Sequence, residues 1–308
     1  MLGLINTRPT WNDDDDDQWA SNLRFELNNV EVMDAPLQIL SLTDSVNVGN
    51  QLFSWLSVVN SKKSTGHLIF TSPSSVKALG KHLIYFNNTK KRFINPSEDH
   101  NQIIKSLVTG INERRIKAAT IGIGTKKQLK ELINNLIPIE SNSKNLFFNE
   151  LVFVKDNADT LSFLQSHQNK FTNENLLVFE GEGNKPTLVN GLRAHTKEII
   201  SLSLYIRRYQ KLPDLVSFYH KVISKNTLTK DAIDFNKQVF LLLSSSSIAN
   251  LAKKELKKQK VMLNSLVVLS HHDRIIEVMK EECHDLTFSK IMSLSPKLIA
   301  DEVKKRLV

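Results

Sequence analysis

The chain has 308 residues, 41% of them apolar, which is long enough for two cores and too apolar for global disorder. Lys and Arg (41) outnumber Asp and Glu (32), and the formal charge of +9 fits a polyanionic partner (nucleic acid, an anionic membrane or a polycarboxylate) or simply a solvated surface. The single cysteine, Cys283, excludes an intramolecular disulfide and suits a reducing compartment. The N-terminal MLGLINTRPT has no leader pattern, and no apolar run reaches the roughly 18 residues of a membrane span, so a soluble, cytoplasmic protein is expected.

In chain order, one unit recurs: a short apolar run, a Ser/Thr/Gly turn, then a helix-period stripe. Such runs read as buried parallel strands. LIN precedes Thr7-Arg8-Pro9-Thr10; the Asp13 to Asp17 run then supplies an N-cap for a helix carrying Trp19, Leu23 and Leu27. HLIF precedes Thr71-Ser72-Pro73-Ser74, with Val76, Leu79, Leu83 and Ile84 on one stripe. AATIGI runs into Gly124-Thr125 and a helix bearing Leu129, Leu132, Ile133 and Leu136. LVFV precedes Lys155-Asp156-Asn157 and the stripe Ala158, Leu161, Leu164; LLVF precedes Glu180-Gly181-Glu182-Gly183, then Leu188 and Leu192. VFLLL leads into Ser244 to Ser247 and Ile248, Leu251, Ala252; LVVL into Ser270-His271-His272-Asp273 and Ile275, Val278, Met279. Ser295-Pro296 starts a last helix with Ile299, Val303 and Leu307. The stretch from Pro213 to Asn236 has helical spacing without a clear stripe.

Strands alternating with helices predict an α/β fold with parallel sheets. Two segments depart from the rhythm. Residues 36–42 are extended, and residues 201–207 alternate with period two, which marks a strand with one wet face. They are expected to be a two-stranded linker, out and back, between two parallel-sheet α/β domains. The first domain is then discontinuous, 1–36 and 207–308, and the second is 37–206.

Right-handed crossovers place every strand-to-helix turn on one sheet edge, where open α/β sheets bind ligands. The hydroxyls of Ser72, Thr125, Ser244 and Ser270 fall in those turns. Each alone is well explained as an N-cap; together, beside helix N-termini, they suit several anions. Tyr205 in the second linker strand, with Arg207 and Arg208 beside it, could donate a proton or simply pack on its neighbour. Gly122-Ile123-Gly124-Thr125 lacks the third glycine of a dinucleotide loop and the Gly-Lys-Ser/Thr of a P-loop. His271, His272, Cys283 and His284 have no zinc spacing. The lysines at 253, 254, 257, 258 and 260 form a basic helix face that lacks the interleaved aromatics of a nucleic-acid binder.

Read in order, these features resemble the uroporphyrinogen-III synthase family. The resemblance rests on Thr7-Arg8-Pro9, Ala35-Pro36-Leu37-Gln38-Ile39, Phe70-Thr71-Ser72 with Val76, Gly122-Ile123-Gly124-Thr125, the turn from Phe179 to Leu188, Tyr205-Ile206-Arg207, Ser244 to Ala249, Ser270 with Arg274-Ile275, and Ser295 to Ile299. It implies two α/β domains joined by a two-stranded ladder. It also implies a cofactor-free, metal-free monomer that closes hydroxymethylbilane, an octacarboxylate, into uroporphyrinogen III with inversion of the terminal ring. By that resemblance Tyr205 assists departure of the hydroxyl, Thr125, Ser72, Ser244 and Ser270 hold carboxylates, and Arg8 and Arg207 pair with charge. No nucleic-acid or membrane partner is implied. Where the family often carries Arg-Gly-x-Gly-Gly-Arg, this chain has Glu180-Gly181-Glu182-Gly183-Asn184-Lys185, which keeps a catalytically inactive tetrapyrrole- or anion-binding module as the alternative.

Overall fold

The computed structural model describes residues 2–12, 17–61, 64–88, 101–155, 159–224, 239–259, 266–283 and 286–305. The chain divides into two units: Met1–Ser41 with Arg207–Val308, and Leu42–Ile206. Both are α/β with parallel sheets.

Unit 1 begins with β1 (Leu2–Asn6), whose five residues are all buried. It lies between β3 (Val30–Asp34) and β10 (Val239–Leu242), followed outward by β11 (Leu266–Ser270) and β12 (Thr287–Lys290), all parallel. Alternation sorts the side chains onto two faces. Leu2, Leu4, Phe240, Leu242, Val267 and Leu269 meet α1 (Gln18–Glu26) and α12 (Pro296–Lys304) through Leu23, Leu27, Ile299 and Val303. Ile5, Val239, Leu241 and Val268 meet α9 (Leu215–Ser224), α10 (Ser246–Gln259) and α11 (Asp273–Lys280) through Phe218, Ile248, Ala252, Ile275 and Met279. Asp17 does cap α1, accepting from Trp19 N and Ala20 N; Asp13 to Asp16, Asn157, Ala158 and Leu307 lie outside the described residues.

Unit 2 has the order β9 (Glu198–Tyr209), β8 (Asn175–Gly181), β5 (Gly66–Phe70), β6 (Ile116–Thr120), β7 (Val152–Phe153), all parallel. Ile69, Ala119 and Val178 face Phe163, Phe171, Leu188 and Leu192 of α7 (Thr160–His167), α8 (Thr187–Arg193) and the turn between them. On the remaining side α2 (Ser45–Ser61), α3 (Pro73–Asn88), α4 (Asn101–Asn112) and α5 (Ile123–Leu136) pack together and onto β5, β6 and β8. Two stripe residues prove to point outward: Ile84 is 45% and Leu161 59% exposed, and Phe86 and Phe163 fill the core instead.

Two strands carry the chain from one unit to the other, β4 (Gln38–Leu42) and β9. They are neighbours, and the order of their backbone bonds is antiparallel: Gln210 N donates to Leu37 O in unit 1, Thr43 N to Leu204 O in unit 2. In unit 1, β2 (Thr10–Trp11) pairs with β4.

Candidate functional site

Each sheet has a point where the chain reverses its direction of strand addition, and open sheets bind ligands beyond the carboxyl ends of the strands there. In unit 1 it lies between β1 and β10; in unit 2, between β5 and β8.

At the unit 1 edge, Thr7 is buried and its hydroxyl donates to Leu242 O at 2.5 Å, tying the ends of β1 and β10 together. Arg8 follows. Its guanidinium carbon lies 3.5 Å from the Trp19 ring centroid, and Trp19 is held by its Nε1 donating to Leu294 O. Arg8 Nη1 is buried and, among the described residues, without a hydrogen-bond partner. Burial lowers the Arg8 pKa to about 10, against the opposing pull of Asp17, so it remains a cation at neutral pH. The serine turn after β10 is divided in its tasks. Ser245 Oγ caps α10 by accepting from Ile248 N, Ser246 Oγ accepts from Arg274 Nε, and Ser247 Oγ accepts from Gln38 Nε2. Ser244 is half-buried at the head of the turn. Ser270, ending β11, is fully buried with its Oγ facing His272 N at 3.5 Å. His271 beside it is held down to about 4 by burial and by His272, whose ring centroid is 4.3 Å away.

At the unit 2 edge, the Thr71 hydroxyl donates to Phe179 O at 3.0 Å, closing the β5/β8 crevice from below. Ser72 caps α3 in a reciprocal pair: its Oγ accepts from Ser75 N, and Ser75 Oγ accepts from Ser72 N. Ser72 Oγ also lies 3.3 Å from the Tyr205 hydroxyl. The Tyr205 ring is 2% exposed and Ser72 half-buried, so the serine is the more accessible member. Glu180 is tied down, accepting from Ser201 Oγ and from Asn184 Nδ2.

No protein-family model and no curated protein matches the sequence. Among solved structures, a mutant uroporphyrinogen III synthase from Thermus thermophilus is similar over 100% of this chain and 99% of its own, with a TM-score of 0.52 and 11% identity. The uroporphyrinogen-III synthetase from Helicobacter pylori is similar over 98% of this chain and 99% of its own, with a TM-score of 0.46 and 13% identity. The fold matches that of a uroporphyrinogen III synthase. At such identities the likeness is one of fold alone.

Of the residues expected at a synthase site, Ser72 and Tyr205 are brought together in unit 2, and Arg8, Ser244 and Ser270 follow the adjacent strands β1, β10 and β11 in unit 1. Thr125 is 2% exposed and its hydroxyl turns back to donate to Ile121 O at 3.3 Å. What reaches the edge there is the start of α5, opened by Gly122 at φ 97, a conformation glycine adopts without strain. Arg207 is half-buried on the unit 1 end of β9. Sequence reasoning passed over Trp19 as the partner of Arg8, Ser75 as the partner of Ser72, and the pair Ser45 and His82; no motif spacing marks any of them.

Three of the five lysines of the basic helix face pair within the chain, and Lys260 lies outside the described residues. Lys253 is 5% exposed between Glu281 and Glu282, Lys257 pairs with Glu282, and Lys258 with Glu255. Among the described residues no group of three His, Cys, Asp or Glu could hold a metal ion, and no helix is long and apolar enough to cross a membrane.

Proposed function

We propose that this chain is a uroporphyrinogen-III synthase, closing hydroxymethylbilane to uroporphyrinogen III with loss of water and inversion of the terminal ring. The observation that carries the reading is the Tyr205 and Ser72 hydroxyl pair, 3.3 Å apart at the strand-end edge of unit 2. In this reading Ser72 meets the departing hydroxyl, and the Tyr205 proton reaches it through Ser72. The leaving hydroxyl takes a proton as its bond to the hydroxymethyl carbon breaks, and departs as water; that carbon then bonds to the terminal ring. Arg8, whose buried Nη1 has no partner among the described residues, receives a substrate carboxylate; the helix starts at Ser72 and Gly122 receive others. Positioning of the flexible bilane supplies the remainder of the catalysis. The net charge of +9 favours a polycarboxylate. A monomeric, cytoplasmic enzyme is the accompanying expectation.

The second reading, a binding module without turnover, draws on Glu180 and Glu182. Glu180 near the end of β8 and Glu182 just after it place carboxylates at this strand end, where an anionic substrate would be repelled. A coupled assay separates the two readings. Hydroxymethylbilane is generated in situ, the protein is added, and the oxidised type I and type III porphyrins are resolved. Dominant type III product supports the synthase; type I alone, the spontaneous product, removes it.

A further inference from the structure

β9 carries a bulge at this site. Glu180 pairs with Ser203 and Gly181 with Tyr205, so Leu204 is one residue more than β8 can match. The bulge breaks the inside–outside alternation: Leu204 and Tyr205 are consecutive and both buried. Bulges re-aim side chains, and here the re-aimed residue is Tyr205, whose hydroxyl meets Ser72.

The bulge carbonyl is held from two sides. Leu204 O accepts from Thr43 N at 3.2 Å and from His82 Nε2 at 2.9 Å. A carbonyl only accepts, so His82 carries its proton on Nε2. Burial lowers the His82 pKa and keeps the ring neutral, so Nδ1 is bare and accepts from the Ser45 hydroxyl at 2.9 Å. The Leu204 carbonyl thus sets the tautomer, and the Ser45 hydroxyl, donating to Nδ1, braces the ring in it. His82 is fully buried, and it projects from α3, the helix that Ser72 caps. One rigid element therefore grips both Leu204 and Tyr205.

We infer that His82 is a positioning residue for Tyr205: it anchors the bulge at Leu204 that turns the Tyr205 hydroxyl to Ser72, and Ser45 holds the imidazole in its donating form. The catalytic consequence rests on the role proposed above for Tyr205; the anchoring itself does not.

The chain has four tyrosines, so fluorotyrosine labelling gives few fluorine resonances, and Tyr205→Phe identifies the one from position 205. In the folded protein His82→Leu is expected to shift that resonance. It should also lower kcat about 10- to 100-fold with KM held within about twofold. His82→Gln, whose amide can donate to Leu204 O, should restore the resonance and most of the rate. In a Tyr205→Phe background His82→Leu should cost nothing further, since both act through one hydroxyl. An unmoved resonance in folded His82→Leu overturns the inference. Should that variant fail to fold, Ser45→Ala at its half-buried position perturbs the same chain of bonds, and absence of any shift there overturns it equally. If the wild-type chain makes no type III product, the synthase reading falls while the fluorine signal still decides the anchoring.

Discussion

The hydroxyl of Tyr205 stands 3.3 Å from that of Ser72, at the end of a ring that is 2% exposed. Because packing holds the ring, Tyr205→Phe removes a proton with little change of shape. Ring closure is expected to slow about 100-fold, the scale of one general acid. Stability should fall by about 1 kcal/mol, the net worth of one hydrogen bond. Product analysis paired with a melting curve checks both, and an unchanged rate takes Tyr205 out of the chemistry.

Arg8 keeps a buried Nη1 without a partner among the described residues and is partly desolvated against Trp19. A donor left this way is costly to the folded state and useful to an anion. Arg8→Met retains contact with Trp19 and removes the charge. The expected result is at least about tenfold weaker substrate binding, or 1.4 kcal/mol, with a Tm that does not fall. A lowered Tm with unchanged KM would mean that Arg8 serves the fold instead.

His67 is 4% exposed, its ring edge against Phe171 and its Nδ1 3.9 Å from Glu174 Oε2, too far for a hydrogen bond. Burial, helped by Lys117, lowers its pKa from 6.5 to about 4. Despite the nearby carboxylate the ring stays neutral, since desolvation outweighs an attraction at that distance. The unfolded chain therefore takes up a proton near pH 6.5 and the folded chain only near 4. Stability from this site is full above about pH 6.5, declines as the pH falls toward 4, and is then on the order of 3 kcal/mol lower. The lowered His82 pKa acts in the same direction. Urea midpoints at neutral and acid pH test this: His67→Leu should flatten the acid decline, and a parallel decline in the variant refutes the assignment.

Gly66 opens β5 beneath α2, and a Cβ there would lie 2.7 Å from Trp55 Cζ2 and 3.0 Å from Val59 Cγ2. Trp55 is 1% exposed and cannot swing aside. Gly66→Ala should destabilise by about 1–3 kcal/mol through overpacking, read as a lower denaturant midpoint at unchanged slope. A neutral result would show that α2 can ride outward from the sheet.

The interior strands were legible because burial on both faces writes a continuous apolar run: β1, β5, β8, β10 and β11 stand at LIN, HLIF, LLVF, VFLLL and LVVL. The two edges of the unit 1 sheet were not. VEVMD of β3 and TFSK of β12 are half-buried or exposed throughout, so their pattern carries neither a run nor a clean alternation. β7 stands inside the LVFV run, whereas β2, at two residues, is set by its neighbour rather than by its own composition. At the site, the strand-end positions of Ser72, Ser244 and Ser270 were readable from the turns. The inward rotation of Thr125 was not, because a hydroxyl at a helix start can turn either to solvent or back to a carbonyl. Ser45 and His82 are 37 positions apart and touch directly, and His82 reaches Leu204 across a further 122, separations that no local pattern marks.

The bond from Thr7 to Leu242 spans 235 positions, and β1, an interior strand of its sheet, finds β10 only across that interval. On the ribosome, β1 and β3 emerge before unit 2, and β1 must wait for β10 while the whole of unit 2 is synthesised between them. Residues 42–206 can complete a core of their own during this time; the opening strands cannot. The slow step of biogenesis is then the return of the last third of the chain to β1, whose β10 side has stayed open throughout, and conditions that prolong elongation should raise dependence on chaperones more than they alter the finished protein's stability.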